Sequence, residues 1–536
     1  MSFIPQVFDG CAGLSEKDLA RYLGLEKPWP WQVKSLSLAV DLANDQQSRT
    51  VITAPTGAGK SIIFLGLCRW ARENNKRVAI YCCRNLLIQQ LIEGLRKGKL
   101  GFGVRASQYK NLRNVRANVQ LCSLDTVYMS FKKDHDDLPK ADIVIVDEAH
   151  QQKQEKAQQI FDKHVDQGAS LIGFTATPVE LSHMYDRLEV ACVNTDMRSK
   201  ELEFPAHVPA HTYGCPELDT SNLKPLKTGE FSNQQVVKEI WTPQIFGHIV
   251  EHYRRLNPDQ RPALLFAPGV KESKWLCDQL NRSDIPAAHI DGQDVYIDGE
   301  EYASDPLKRA EVIDKLRAGE LKVICNRYVM REGIDIPELY HIILATPIGS
   351  LSSYVQVVGR ALRNHPSLDK VIVQDHAGNF WRHGSANANR AWDELFYLTS
   401  GQASQVHKKQ IESGEKENPI TCPKCHMVRS KGPRCPNCGF VHSSNTRMVI
   451  QRSGQLRQLH GPPIRKIKIE KKHDTETRWL SCFYRCKKNG IKTFNQAYAL
   501  FVREEGYHPP KDLPFMPKQD IDWYERCNRV ESHDLY

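Results

Sequence analysis

From about residue 30 to 375, short apolar runs alternate with longer amphipathic stretches. VITAP (51–55), VAIYCC (78–83), VQLCS (119–123), ADIVIVDE (141–148) and LIGFTA (171–176) are β-branched and uncharged except at their ends. ALLFAP (263–268), AAHID (287–291), LKVIC (321–325), HIILAT (341–346) and KVIVQD (370–375) repeat the theme. Runs that are apolar at successive positions, rather than alternate ones, predict strands buried on both faces of a parallel sheet, with crossover helices between them. The pattern predicts α/β architecture in two sheets, joined by the stretch 195–235, which is rich in Pro, Gly, Thr and Asn. After residue 400 the pattern breaks. A polar stretch (ASQVHKKQIESGEKENP) reads as a helix end plus linker, and a cysteine group follows at 422–438. From residue 447 to about 495 there are roughly a dozen Lys/Arg against three acids, and Trp479, Phe483, Tyr484, Phe494 and the nearby Tyr498 are interleaved with them. Two helices broken at Asn489-Gly490 are expected there, with Trp479, Phe483 and Tyr498 in their core.

Composition narrows the class. A chain of 536 residues exceeds one core and predicts three or four units at roughly 100–200 residues each. With 40% hydrophobic and 25% charged residues it reads as folded and globular. No apolar run approaches the ~20 residues of a membrane span, and MSFIPQVFDG lacks the pattern of a signal peptide, so a cytoplasmic protein with no membrane association is expected. The net charge of +10 suits a polyanionic partner. Most of the 16 cysteines are scattered singly, a reducing-compartment pattern, and the dense group is the metal candidate.

Two motifs carry chemistry. Ala54-Pro-Thr-Gly-Ala-Gly-Lys-Ser61 follows a predicted strand and opens a predicted helix. Gly57 and Gly59 let backbone N–H groups turn inward around phosphates, with Thr56 and Ala58 completing the loop. Lys60 offers a cation near the β/γ-phosphates, and Ser61 a hydroxyl for Mg²⁺. The usual first glycine is Ala54 here. Asp147-Glu148-Ala149-His150 ends another strand, in the crevice where α/β folds bind ligands. Asp147 can hold Mg²⁺ through water, and Glu148 can orient and deprotonate an attacking water.

These motifs resemble those of superfamily 2 helicases of the DEAH/DEAD type over roughly residues 28–384. The phosphate loop resembles motif I, the Asp-Glu-Ala-His tetrapeptide motif II, and Thr175-Ala176-Thr177 motif III, which couples hydrolysis to domain movement. Gln32 stands where the family places the glutamine that reads adenine. Arg331-Glu-Gly-Ile-Asp-Ile-Pro337 resembles motif V, with Gly333 and Asp335 toward the nucleotide. Gln356-Val-Val-Gly-Arg-Ala-Leu-Arg363 resembles motif VI. The resemblance implies that Arg360 and Arg363 are arginine fingers and that Gln356 orders the water or γ-phosphate. It also implies a polynucleotide track of Arg84 (motif Ia, with Cys-Cys for the usual Pro-Thr), Ser123, Pro268, Gly269 and Arg327, where Arg327 replaces a usual hydroxyl residue.

Cys422-Pro-Lys-Cys425 and Cys435-Pro-Asn-Cys438 form two knuckles nine residues apart, which can close a tetrahedron around structural Zn²⁺. His426 or His442 could replace a thiolate. The order of helicase core, knuckles and aromatic–basic tail resembles phage-encoded helicases, which implies the bacterial host cytoplasm as location.

The expected fold is therefore α/β: two tandem RecA-like parallel-sheet domains, then a small zinc-binding module and a mainly helical tail. The expected boundaries are 1–200, 201–400, 401–446 and 447–536. The expected function is an ATP- and Mg²⁺-dependent helicase or translocase, a monomer by default, on DNA rather than RNA. The C-terminal region is expected to meet replication or recombination proteins. A duplex DNA translocase or branch-migration motor that does not peel strands, and an ATP-switched nucleic-acid clamp or scaffold, are the alternatives.

Overall fold

The computed structural model describes residues 13–441 except 84, 135–136, 215–222, 224, 227–228, 240–242, 328–335, 417–418 and 431, together with Trp479 and Phe501. The first sheet has seven strands: β1 (Arg49–Thr53), β2 (Val78–Cys82), β3 (Phe102–Arg105), β4 (Val119–Ser123), β5 (Ile143–Asp147), β6 (Ser170–Thr175) and β7 (Arg187–Val190). All are parallel, in the order β3-β4-β2-β5-β6-β1-β7. Successive residues of β5 enter opposite cores. Ile143 and Ile145 pack with the helices Pro30–Asn44 and Lys60–Glu73, whereas Val144 and Val146 pack with Phe161 and Tyr185. That alternation into two cores explains the unbroken apolar run.

The second sheet comprises β8 (Ala210–Gly214), β9 (Ala263–Phe266), β10 (Ala287–Ile290), β11 (Asp294–Ile297), β12 (Glu300–Ala303), β13 (Val323–Asn326), β14 (His341–Leu344), β15 (Val371–Asp375), β16 (Ile420–Thr421) and β17 (Met427–Arg429). Its order is β12-β11-β10-β13-β9-β14-β15-β8-β17-β16. The centre, β10 to β8, is parallel. Each margin is an antiparallel hairpin. The architecture is two RecA-like parallel sheets.

Two features differ from the sequence pattern. The stretch 195–235, expected as a connector, contributes β8, which pairs in parallel with β15. The cysteine knuckles are not a free-standing bead. Their hairpin β16–β17 extends the second sheet, with Met427 opposite Tyr213 and Val428 opposite Thr212, and Cys422 and Cys435 share that sheet's apolar cluster.

Segments after β15 reach back to the first sheet. Phe396 lies in its core and its carbonyl accepts from the Leu181 N–H (3.2 Å). Asn194 Nδ2 donates to the Ala388 carbonyl (2.9 Å), and the Thr195 N–H to Asn389 Oδ1 (3.1 Å). Among the described residues no helix is long and apolar enough to cross a membrane. The expected C-terminal helices lie outside the described residues apart from Trp479 and Phe501, two buried rings packed edge to face with centroids 5.3 Å apart.

The helix after β1 is held to the sheet by Phe64, which meets Phe174 of β6 edge to face at 4.8 Å, both rings buried. Phe64→Ala is expected to lower stability by about 3–5 kcal/mol. A shift in the urea midpoint without a change in slope will measure it.

Candidate active site where the two sheets meet

The phosphate loop leaves β1 at Thr53, whose Oγ1 donates to the Thr175 carbonyl at the end of β6 (3.0 Å). The Ala54 N–H reaches the same carbonyl at 3.3 Å, so the loop starts locked to the neighbouring strand end. Gly57 and Gly59 have φ of +90° and +86°, a region that side chains disfavour. The helix Lys60–Glu73 follows at once, pointing its unpaired N-terminal N–H groups at the loop. Gln32 lies buried beneath: its Nε2 donates to the Ala58 carbonyl (3.4 Å) and its Oε1 accepts from the Trp29 N–H (3.0 Å). A Cβ on Gly59 would lie 2.5 Å from that Nε2, so any side chain there would push the Gln32 amide aside. Trp31 donates to the Ala58 carbonyl too (3.1 Å).

The carboxylates stand at the end of β5. Asp147 is buried, and Glu148 takes a left-handed conformation (φ +48°), a strain of order 1–3 kcal/mol for a non-glycine residue. Lys60 Nζ lies 3.6 Å from Glu148 Oε1, and His150 Nδ1 lies 3.5 Å from Oε2. Burial works against the Glu148 charge, but the positive charge around it, Lys60 first, outweighs burial and holds this carboxyl below its usual range. Asp147 behaves oppositely. Burial, then the adjoining Glu148 charge, push it up to about 7 despite Lys60. A buried carboxyl pushed up in this way, within the field of Lys60 at the helix start, fits a divalent cation.

His150 ties three segments together. Its Nε2 lies 2.5 Å from Gln356 Nε2, and its Nδ1 lies 2.8 Å from Thr175 Oγ1. An amide nitrogen only donates, so the imidazole accepts from Gln356 and carries its proton on Nδ1, toward Thr175. Thr175 Oγ1 also accepts from the Thr177 N–H (3.0 Å). The sequence reading included His150 in its tetrapeptide without giving it this bridging position.

The second sheet delivers its groups from the helix Leu351–Gly359, where Gln356 is buried. That helix abuts the phosphate loop: a Cβ on Gly359 would lie 3.1 Å from Thr56 Oγ1. Arg360 caps the helix. Arg363 lies further on, its Cγ 3.3 Å from where a Gly57 Cβ would sit. Lys60, Asp147, Glu148, Thr175, Gln356, Arg360 and Arg363, scattered over 300 residues of sequence, thus share one site. Gly333 and Asp335 lie outside the described residues.

A family model described as the type III restriction enzyme res subunit matches residues 26–180, and one described as the helicase conserved C-terminal domain matches 245–365. The chain belongs to the superfamily 2 helicases. The 51.5 kDa protein of Lactococcus phage (isolate 7-9) is 26% identical over 453 residues, 82% of this chain and 89% of the phage protein. A protein of Sulfolobus islandicus filamentous virus, provisionally named helicase 22, is 23% identical over 61% of this chain and 60% of its own length. A Saccharomyces cerevisiae protein provisionally named an ATP-dependent helicase is 24% identical over 65% of this chain and 51% of its own.

Of this helicase's expected track residues, Arg84 lies outside the described residues. Ser123 ends β4, and Pro268 and Gly269 follow β9, with Gly269 capping the helix Val270–Asn281. Arg327 follows β13 and turns inward, donating from Nε to the Pro268 carbonyl (3.0 Å). It braces the neighbouring loop, which the sequence did not anticipate. All four stand at the carboxyl ends of their strands.

The four knuckle sulfurs lie within 4.8 Å of one another, with Cys422–Cys438 and Cys425–Cys435 at 3.6 Å. Bonds of ~2.3 Å in a tetrahedron place thiolates about 3.8 Å apart, so the cluster fits zinc, whereas a disulfide would need ~2.05 Å. Burial opposes the Cys435 thiolate, but N–H groups of Cys438 and Asn437 and the other cysteines lower it to about 7. Four cysteines complete the set without His426, which instead forms the left-handed turn after the first knuckle (φ +62°). His442 lies outside the described residues.

Glu148→Gln is expected to keep MgATP binding and lose most turnover, since it removes the base and leaves the loop; near-normal stimulated hydrolysis would refute that role. Cys435→Ser is expected to lose one zinc per chain by metal analysis. Because β17 is part of the second sheet, that variant should also melt at lower temperature.

Proposed function

We propose that the protein is an ATP-driven helicase or translocase that moves along DNA in replication, recombination or repair. What carries the reading is the meeting of Gln356 and Arg363 from the second sheet with His150 and Gly57 from the first. A charge-bearing group that must cross a cleft can act only while the cleft is closed, which links chemistry to domain movement.

The residues divide the work as follows. The loop N–H groups and Lys60 bind the β/γ-phosphates of ATP, and Gln32 borders the adenine side. Glu148 accepts a proton from the attacking water, its carboxylate kept charged by the positive groups around it, Lys60 first. Arg360 and Arg363 stabilise charge spreading over the transferred phosphoryl oxygens. Mg²⁺, held by Ser61 and Asp147, would supply further positive charge there. His150, between Thr175 and Gln356, carries the state of the carboxylate turn to the second sheet. Ser123, Pro268, Gly269, Arg327 and Arg84 would hold the backbone of a strand without reading bases. The DEAH form of motif II and the zinc knuckles favour DNA.

The test is ATPase rate against single-stranded, duplex, forked and four-way DNA and their RNA equivalents, beside strand- and triplex-displacement assays. DNA should stimulate turnover more than RNA. Arg363→Ala should cut kcat by ~10³-fold or more while nucleotide affinity changes little. Stimulation by RNA alone would overturn the DNA assignment, and a wild-type rate in Arg363→Ala the closed-cleft mechanism. Stimulated turnover with neither kind of displacement would favour a switched clamp.

A further inference from the structure

The segment between the two sheets does more than connect them. His207, almost fully buried, lies against the phosphate loop with Nε2 2.7 Å from the Thr56 carbonyl. A carbonyl oxygen only accepts, so Nε2 carries the proton and donates it. Nδ1 is buried without a hydrogen-bond partner. Burial pulls this imidazole down to about 4, so it is neutral near pH 7 and its single N–H is committed to Thr56.

The same residue is tied to the second sheet. His207 forms an antiparallel bridge with Arg363. On either side of it the Val208 N–H donates to the Leu362 carbonyl, and the Asn364 N–H to the Ala206 carbonyl, both at 2.9 Å. Asn364 Nδ2 adds a bond to the Pro205 carbonyl (2.7 Å). Toward the first sheet, the His207 N–H reaches the Met197 carbonyl at 3.0 Å. A Cβ on Gly57 would meet His207 Nε2 at 3.4 Å and Arg363 Cγ at 3.3 Å, so both side chains pack on the same peptide.

Planarity gives the contact its consequence. In a trans peptide the carbonyl and the following N–H point to opposite sides. Holding the Thr56 carbonyl toward His207 therefore turns the Gly57 N–H away from it, toward the interior of the loop. We propose that His207 is a positioning residue that fixes the Thr56–Gly57 peptide for phosphate binding and sets Arg363 beside it. The connector thereby ties loop and arginine segment together in the closed cleft, the state in which the arginine acts. This deepens the ATPase reading above and rests on it.

The test compares full-length wild type, His207→Ala and His207→Gln, whose amide N–H can stand in for Nε2–H. It reads ATP affinity with a fluorescent analogue, kcat and KM for ATP with DNA present, and the melting midpoint. His207→Ala should weaken nucleotide binding about tenfold, the worth of one buried hydrogen bond. It should also lower kcat beyond what saturating ATP restores, because Arg363 loses its register. His207→Gln should recover most of both. Wild-type affinity and kcat in His207→Ala would overturn the proposal, as would equal defects in both variants that simply follow a lowered melting midpoint. If the wild type itself binds no ATP, the ATPase reading falls with it; if it turns over ATP and His207→Ala matches it, only the positioning role falls.

Discussion

Strands buried on both faces leave no flank on which a polar side chain can be both fixed and exposed. Val51 and Ile52 enter opposite cores of the first sheet, and Ile342 and Ile343 opposite cores of the second. Chemistry is therefore confined to strand ends, and in a parallel sheet the carboxyl ends fall along one edge. The phosphate loop, Asp147, Thr175, Ser123, Pro268 and Arg327 all follow from that constraint. Rigid packing beneath them fixes their positions without their own side chains having to do so.

The same burial sets the electrostatics. Asp147 and Glu148 are neighbours with opposite shifts, one raised by burial, the other held low by cations gathered around it. Only part of that cation set belongs to the first sheet. Arg360 arrives from the second, so the charge on Glu148 depends on how the two sheets stand. The imidazole of His150 extends the dependence, because its acceptor nitrogen is occupied by an amide from across the cleft. The carboxylate turn thus takes part of its surroundings from each sheet.

Much of this was legible in the sequence. All ten apolar runs are strands, because burial on both faces leaves an unambiguous mark. The phosphate loop and the cysteine spacing were legible because their chemistry tolerates few alternatives. Marginal strands were not. β3 is buried only at its two central residues, β7 is nowhere fully buried, and β12 is exposed along its length, so none leaves an unbroken apolar run. β8 was hidden in Pro-Ala-His-Thr-Tyr-Gly, where turn formers and strand formers mix. The contacts of His207 and the inward turn of Arg327 depend on partners distant in sequence, which a local pattern does not encode. Arg84, Gly333 and Asp335 keep the standing that the motif likeness gives them.

The hairpin added by the knuckles bears on solubility. A sheet edge displays unpaired N–H and C=O groups that can recruit a foreign strand. The second sheet treats its two margins differently. At one end β12 carries Glu300 and Glu301, and charge discourages another strand from aligning. At the other, β8 is covered by β17, which is itself folded around the four cysteines. The cysteine cluster that shapes this hairpin then serves as a guard against strand addition, and a chain in which the hairpin came apart would carry an open β-template at β8.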